Sequence, residues 1–381
     1  MDIQQCRLIA DAVRASLARV RMTDAEVESL RQSVRTNALT DYEQDAHRFA
    51  AAYWERNFWK AAYFFGYEYR RPSVMSRLLD AGPTVHAVVL GAGSAADAVA
   101  CLAWLDSEYP LQAVTVTLVD QSRQQLELAR GIIGIACGFL QRAVFDIRYE
   151  QRRAGEWSLE PDSADLVLMS HFLTENRSEK EALVASVIAA LKPRGDLIII
   201  ERERDPIWRD VRDRLALNGV TTHDVKPATE KFDLLAPALP DAHADMTPAY
   251  VRGQVPENKR LMELVRDYFQ AWLGQSSDGL SGIFTPQAVY DEKPGIEPRI
   301  TGLDAIRRYW DMHPGRQRDI LLRVHAVTYS DTVSVCSFSG AFDTPKQHIA
   351  IQGAMNFYLD PYAGKIHRFA EYFGTVKTPL R

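Results

Sequence analysis

Four stretches of residues 85–203 decide the fold: VHAVVLGAGSAADAVA (85–100), VTVTLVDQS (114–122), ADLVLMSHFLTEN (164–176) and LKPRGDLIIIERE (191–203). Each contains a short β-branched or leucine-rich run that stops at a Gly, Asp, Ser or Glu. Helical sequence lies between them. Strands alternating with helices imply a parallel sheet covered on both faces. In such sheets ligands bind at the carboxyl ends of the strands. The residues with chemical function all fall at those ends.

The first run, His86–Leu90, leads into Gly91-Ala92-Gly93-Ser94-Ala95-Ala96-Asp97. Two glycines let the backbone turn tightly and come close to a ligand. A dinucleotide-binding dehydrogenase would place a third glycine at Ala96. The second run, Val114–Val119, ends at Asp120, followed by Gln121. An acid at the end of the second strand commonly holds ribose hydroxyls. Alternatively, Asp120 caps the helix that begins QSRQQLELAR.

In the last stretch the helix EALVASVIAALK ends, Pro193 and Gly195 turn the chain, and a buried strand follows. This closely resembles the LKPGG-turn-strand of class I S-adenosylmethionine-dependent methyltransferases. Ala164–Met169 then resembles that family's fourth strand, and His171-Phe172-Leu173-Thr174-Glu175 the loop after it. The resemblance spans roughly residues 80–240. It implies S-adenosyl-L-methionine as cofactor, held by Gly91, Ala92, Gly93, Asp120, Gln121 and Ser170. Three positions depart from the family pattern. Val89 stands where an acid often precedes the first glycine, and Ala95 replaces the third glycine. Arg153 falls near the position of an Asp that contacts the adenine amine.

Composition narrows the class. A chain of 381 residues can build two domains with full cores. A net charge of −5 and a pI of about 6.0 leave no basic footprint for nucleic acid. Cys6, Cys101, Cys137 and Cys336 are scattered and form no CxxC, so no metal site is expected and a cytoplasmic location fits. The first residues, MDIQQCRLIADAVRASLARV, lack a signal-peptide core, and no apolar run is long enough to span a membrane.

Ahead of the glycine loop the chain reads as helical, with apolar residues at helical spacing in CRLIADAVRASLARV. FAAAYWERNFWKAAYFFGYEY (49–69) is dense in aromatics. It reads as a helix buried against the sheet, as a lid whose ring faces attract a cation, or as both through different residues. After Glu203, DPIWRDVRDRLALNG reads as a helix ended by Gly219. VTTHDV and KFDLL fit a closing hairpin, and the Ala/Pro/Asp-rich 236–256 reads as a linker.

From Glu257 the pattern changes. The helices KRLMELVRDYFQAWLGQ and GLDAIRRYWDMHPG are followed by the alternating strands DILLRVHAVTYS, TVSVCSFSGAFD, HIAIQGAMNFYLD and IHRFAEYF. Helices and then a curved antiparallel sheet make an α+β cone. FTPQAVYDEKP, TGLDAIRRYW and GKIHRFAEYF are similar to the nuclear transport factor 2-like superfamily, which includes SnoaL-type polyketide cyclases and ketosteroid isomerases. The expected fold is therefore an α/β Rossmann-like methyltransferase sheet with an N-terminal helical cap, plus a C-terminal α+β cone. The expected domains are a cap (1–80), a cofactor-binding core (81–235), a linker (236–256) and the cone (257–381).

The loop after strand four and the end of strand five face the methyl group in this fold, which nominates His171, Glu175, Glu201 and Glu203. His171 would serve as base for a hydroxyl acceptor, or is a solvated loop histidine. Glu175 would hold a cationic acceptor through charge-assisted hydrogen bonds. Glu201 and Glu203 either act there or form a solvated strand end. The expected activity is methylation of a small polar molecule in specialised metabolism, at an amine or guanidine nitrogen rather than an oxygen. The cone is expected to dimerise the chain or cap the substrate. Its ionisable candidates are Asp291, Glu292, His325, Asp343, His348, His367 and Glu371. An isomerase-like site there would need an acid of raised pKa beside a hydrogen-bond donor. Two alternatives are a bifunctional enzyme whose cone isomerises or cyclises the product, and a binding protein without turnover.

Overall fold

A computed structural model describes residues 1–20, 22–35, 42–68, 84–108, 113–153, 156–202, 206–225 and 248–379. The chain forms two compact units. The first comprises Met1–Trp208 and His223–Arg252, the second Arg209–Thr222 and Gly253–Arg381. Segment 209–222, read from sequence as part of the cofactor-binding core, thus counts with the second unit.

The first unit is a Rossmann-like sheet. Its parallel strands are β1 (Thr84–Leu90), β2 (Ala113–Asp120), β3 (Phe145–Gln151), β4 (Ala164–Ser170) and β5 (Leu191–Arg202). With β6 (Thr221–Val225) and β7 (Pro248–Gln254) the order is β3-β2-β1-β4-β5-β7-β6. The central strands are apolar along their length because both faces are covered. Register fixes the functional edge. Leu90 pairs with Val119 and with Met169, and Ser170 pairs with Ile200. The next residues of β1, β2, β4 and β5 are Gly91, Asp120, Ser170 and Glu201, so all four reach one edge.

One sequence expectation needs correcting. Among the described residues the strand joined to β6 is PAYVRGQ of β7; KFDLL lies outside them. β7 sits inside the stretch read as a linker. Tyr250 and Val251 are buried and anchor it. Its Pro, Ala and Gly neighbours hid the short strand.

Helices α1 (Ile3–Leu17), α2 (Asp24–Arg35) and α3 (Tyr42–Tyr63) precede the sheet. In α1 Asp2 caps the amides of Gln4 and Gln5, and Cys6, Ile9, Ala10, Val13 and Leu17 make one buried stripe. The aromatic helix α3 ends in a π-turn, Phe64–Glu68. Trp54 and Phe58 stack at 5.1 Å, and Phe65 stacks on Trp104 of α4 (Ala96–Glu108) at 5.2 Å. Trp54 Nε1 donates to the Ser94 carbonyl at 3.1 Å, fastening α3 to the glycine loop. The sheet is completed by α5 (Arg123–Cys137), α6 (Phe172–Glu175) and α7 (Lys180–Ala190); α8 (Ile207–Leu217) lies almost wholly in the second unit.

The second unit is an α+β cone. Helices α9 (Lys259–Leu273), α10 (Leu280–Ile283) and α11 (Leu303–Met312) pack on a sheet of β8 (Phe284–Glu292), β9 (Ile300–Thr301), β10 (Arg318–Tyr329), β11 (Val333–Asp343), β12 (Gln347–Asp360) and β13 (Lys365–Pro379). The order is β10-β11-β12-β13-β8-β9, antiparallel except for the β13–β8 pair. Leu261, Leu264, Val265, Tyr268, Phe269 and Trp272 repeat every three or four residues on α9 and fill the core. The end of α8 joins this unit through Ala216 in the core and through Tyr329, whose hydroxyl donates to the Gly219 carbonyl. No helix among the described residues is long and apolar enough to cross a membrane.

Tyr250 ties β7 to α3: its buried hydroxyl donates to the Lys60 carbonyl at 2.9 Å. Tyr250→Phe removes that bond and keeps the ring, and should lower stability by about 1 kcal/mol in denaturant titration. An unchanged midpoint would show that the bond contributes nothing.

Candidate functional site

The carboxyl edge of the first sheet borders a cavity. Gly91, Ala92, Gly93, Asp120, Gln121, Ser170 and His171 all line it, so seven of the sequence-nominated residues meet in one place. Gly91, Gly93 and Ala95 all have positive φ, at 65°, 48° and 62°. A side chain on Gly91 would strike the Phe172 ring, whereas one on Gly93 would enter open space. The Asp120 carboxylate secures the turn. Its Oδ2 accepts from the Gly93 amide at 2.8 Å and its Oδ1 from the Ser122 amide at 2.8 Å. Helix capping of α5 falls to Ser122, whose hydroxyl accepts from Gln125 N at 3.1 Å.

Other cavity residues were not nominated from sequence. Asp97, in the first turn of α4, closes the glycine-loop stretch. Burial pushes its carboxyl up to about 6, while nearby Ser170 and Lys60 favour the charge. Trp157 and Gln125 line the wall, and both are buried. Among the described residues Trp157 Nε1 and Gln125 Oε1 have no hydrogen-bond partner, and a side-chain hydrogen bond from Ser170 favours the charged form of Asp97. Buried polar atoms are normally paired, so a wall with unpaired donors and acceptors suits a polar ligand. Phe49, Tyr53 and Asn57 bring one face of α3 to the cavity, while Trp54 and Phe58 face the core. The aromatic helix therefore serves as both core and wall. Near strand three the cavity meets Arg152 and Trp157 rather than Arg153.

His171 sits in the left-handed region at φ 54°. Its Nε2 lies 3.2 Å from the ammonium of Lys60, a buried lysine of α3. Its Nδ1 lies 3.8 Å from Glu201 Oε2. Glu201 is not a solvated strand end. It is fully buried, and its Oε1 accepts from the Leu173 amide at 3.0 Å, capping α6. It stands behind His171 and outside the cavity wall. Glu175 belongs to α6, but its side chain lies outside the described residues, as does Glu203 altogether. No group of metal-ligating side chains occurs among the described residues.

In the cone, Glu292 and Glu371 alone of the seven ionisable candidates line an internal cavity. Asp291 is buried and paired with Arg299 and Arg368. His348 pairs with Asp343 on the surface, and His325 and His367 are exposed. Tyr268 and Tyr290 hydroxyls lie 3.0 Å apart, and Tyr290 donates to Glu371 Oε2 at 3.3 Å. Burial pushes the Glu371 carboxyl up to about 8. The charge of Glu292 adds to the rise, and Tyr290 and Lys293 oppose it. Burial also raises Tyr268 and Tyr290 well above the usual tyrosine value.

Comparison with known proteins separates the two units. Residues 265–368 match the family model described as SnoaL-like domain. The C-terminal domain is SnoaL-like. Among solved structures, a SAM-dependent methyltransferase from Methanosarcina mazei is 17% identical, covering 49% of this chain and 98% of its own, with a TM-score of 0.33. A SAM-dependent methyltransferase from Leishmania major is 13% identical over 54% of this chain and 76% of its own, with a TM-score of 0.37. An LEH-like epoxide hydrolase from Mycobacterium tuberculosis is 18% identical over 31% of this chain and 86% of its own, with a TM-score of 0.28. No curated protein matches the chain. The fold of the first unit rests on its own strand order and glycine loop rather than on overlaps of this size.

The raised pKa of Glu371 gives a stability test. Its ordinary value is 4.5 and its folded value about 8. The neutral carboxyl therefore contributes fully below about 4.5, and the contribution is lost as pH rises through about 8. Glu371→Gln should leave stability similar at pH 4.5 and make the protein more stable than wild type at pH 8.5. The difference should be on the order of a few kcal/mol by denaturant titration. A difference independent of pH would place Glu371 in an ordinary environment.

Proposed function

We propose that the first unit binds S-adenosylmethionine and methylates a small polar molecule. The observation that carries this is the cavity itself: a glycine turn tied by Asp120, with buried Asp97 and with Trp157 Nε1 and Gln125 Oε1, which have no partner among the described residues, in its wall. These residues fit the cofactor's chemistry. Backbone at Gly91–Gly93 allows close approach, Asp120 suits ribose hydroxyls, and Asp97 suits an ammonium. Trp157 and Gln125 supply a donor and an acceptor. When bound, the cofactor supplies a methyl group on a sulfonium.

The chain's own task is to align an acceptor and manage one proton. Phe49 and Tyr53 offer ring faces that attract cations. His171 is oriented between Glu201 and Lys60, and its Nε2 faces the Lys60 ammonium. A phenol would need that nitrogen as base, so the Lys60 contact would have to open first. A nitrogen acceptor arriving as a cation must also give up a proton, so what supports a nitrogen acceptor over an oxygen acceptor is the pair of ring faces at Phe49 and Tyr53.

Full-length protein incubated with cell extract and a cofactor carrying an isotope-labelled methyl group should yield a labelled small molecule detectable by mass spectrometry. Failure to form S-adenosylhomocysteine would favour a binding protein without turnover. Once the acceptor is known, Glu175→Gln tests its charge. A cationic acceptor should lose about ten- to hundredfold in affinity, the roughly 1.5–3 kcal/mol of a charge-assisted hydrogen bond. A phenol acceptor should instead show a rate that rises as His171 loses its proton. Intact kinetics in Glu175→Gln together with no turnover in His171→Ala would contradict the nitrogen reading.

A further inference from the structure

His171 stands on the cavity wall of the first unit between two opposite charges. On one side its Nδ1 lies 3.8 Å from Glu201 Oε2. A buried carboxylate behind one ring nitrogen holds the proton there and makes the other nitrogen more basic. That other nitrogen, Nε2, lies 3.2 Å from Lys60 Nζ. A base is assembled, and a lysine covers its working atom.

The donors and acceptors fix the state of the pair. Lys60 is only 2% exposed, so little water competes for its ammonium. Asn57 Oδ1 accepts from it at 3.4 Å, and its charge favours the ionised form of Asp97. An ammonium carries three donors and no acceptor. The nitrogen that faces it must accept, which leaves His171 neutral with its proton on Nδ1, toward Glu201. The backbone holds both partners in place. His171 has a φ of 54°, a region that non-glycine residues seldom adopt, and the Lys60 carbonyl is tied to Tyr250. Charge thus faces His171 from two elements, Lys60 on α3 and Glu201 on β5, and Asp97 of α4 acts on Lys60.

We propose that Lys60 decides which acceptors the first unit methylates: it withholds Nε2 of His171, so the site takes groups that arrive with a free lone pair and refuses hydroxyls that arrive with their proton. This rests on the methyl-transfer reading given above. A hydroxyl oxygen attacks a methyl carbon only as its proton leaves, and a capped Nε2 cannot receive that proton. An aniline or imidazole nitrogen has its lone pair free near pH 7. That lone pair forms the new nitrogen–carbon bond as the methyl leaves sulfur, whose electron pair stays on sulfur, and the extra proton is lost to water. A cationic acceptor must therefore carry its charge on a different atom from the one methylated. Lys60 acts through His171 and is a positioning residue.

Nitrogen-15 NMR of full-length protein with labelled histidine, assigned through His171→Gln, reads the pair without any cofactor. At pH 7.5 His171 should be neutral with its proton on Nδ1. In Lys60→Met, which keeps the length of the side chain, His171 should take up its second proton at higher pH than in the wild type, because a positive neighbour is gone. Lys60→Gln gives the same reading if the methionine variant does not fold. A wild-type proton on Nε2, or a titration that does not move, overturns the proposal. Transfer is then read with labelled S-adenosylmethionine and two acceptors of one shape, p-toluidine and p-cresol, so that differences in fit cancel. The wild type should prefer p-toluidine. The ratio of p-cresol to p-toluidine methylation should rise at least about a hundredfold in Lys60→Met, the low end of general-base catalysis. An unchanged ratio, or no transfer to either acceptor, also overturns it. If S-adenosylmethionine does not bind at all, the methyl-transfer reading falls while the NMR result stands, so the two failures are distinct.

Discussion

Asp120 answers the constraint on which the first unit's site depends. Parallel strands that end together leave backbone amides with no onward partner. A turn tight enough to expose such amides must pass through positive φ, as Gly91, Gly93 and Ala95 do. One carboxylate at the end of β2 accepts from both Gly93 and Ser122 and holds the turn open. From the other side the Trp54 indole grips the Ser94 carbonyl. A rigid loop with an open space above Gly93 is the result. The proposed cofactor site is that space.

Both units place ionisable groups in low-dielectric surroundings. In the first, Glu201 is fully buried yet satisfied by the Leu173 amide, and it backs His171, which faces buried Lys60. Desolvation holds Asp97 up to about 6 at the cavity wall. In the cone, desolvation and a neighbouring acid hold Glu371 up to about 8. Burying an unpaired charge costs far more than burying a neutral acid. Each cavity therefore keeps one buried acid whose carboxyl is held up by desolvation.

Strand runs and glycine spacing carried most of the fold in the sequence. The motifs GAGSAAD and LVDQS lie at the carboxyl ends of β1 and β2, and register brings them together as the pattern implied, whereas LKPRG opens β5 at the opposite edge of the sheet. What was hidden depends on three-dimensional packing. PAYVRGQ is a short strand with Pro, Ala and Gly around it, so its alternation was too brief to read. Trp157 follows β3 in no recognisable motif, and its unpaired indole nitrogen becomes informative only once burial is known. The role of Glu201 also changes with burial: an acid at a strand end looks solvated until the loop folds over it. In the cone, sequence offered seven ionisable residues without ranking them. The β13–β8 register selects Glu292 and Glu371 by setting them opposite each other.

Isothermal titration of the full chain with S-adenosylmethionine tests the central claim most directly. One molecule should bind per chain, and Gly93→Val should abolish binding; because φ of 48° strains a β-branched residue even where space is open, circular dichroism must show the variant folded. The absence of binding to the wild type, or undiminished binding to a folded Gly93→Val protein, would contradict the assignment of this cavity as the cofactor site.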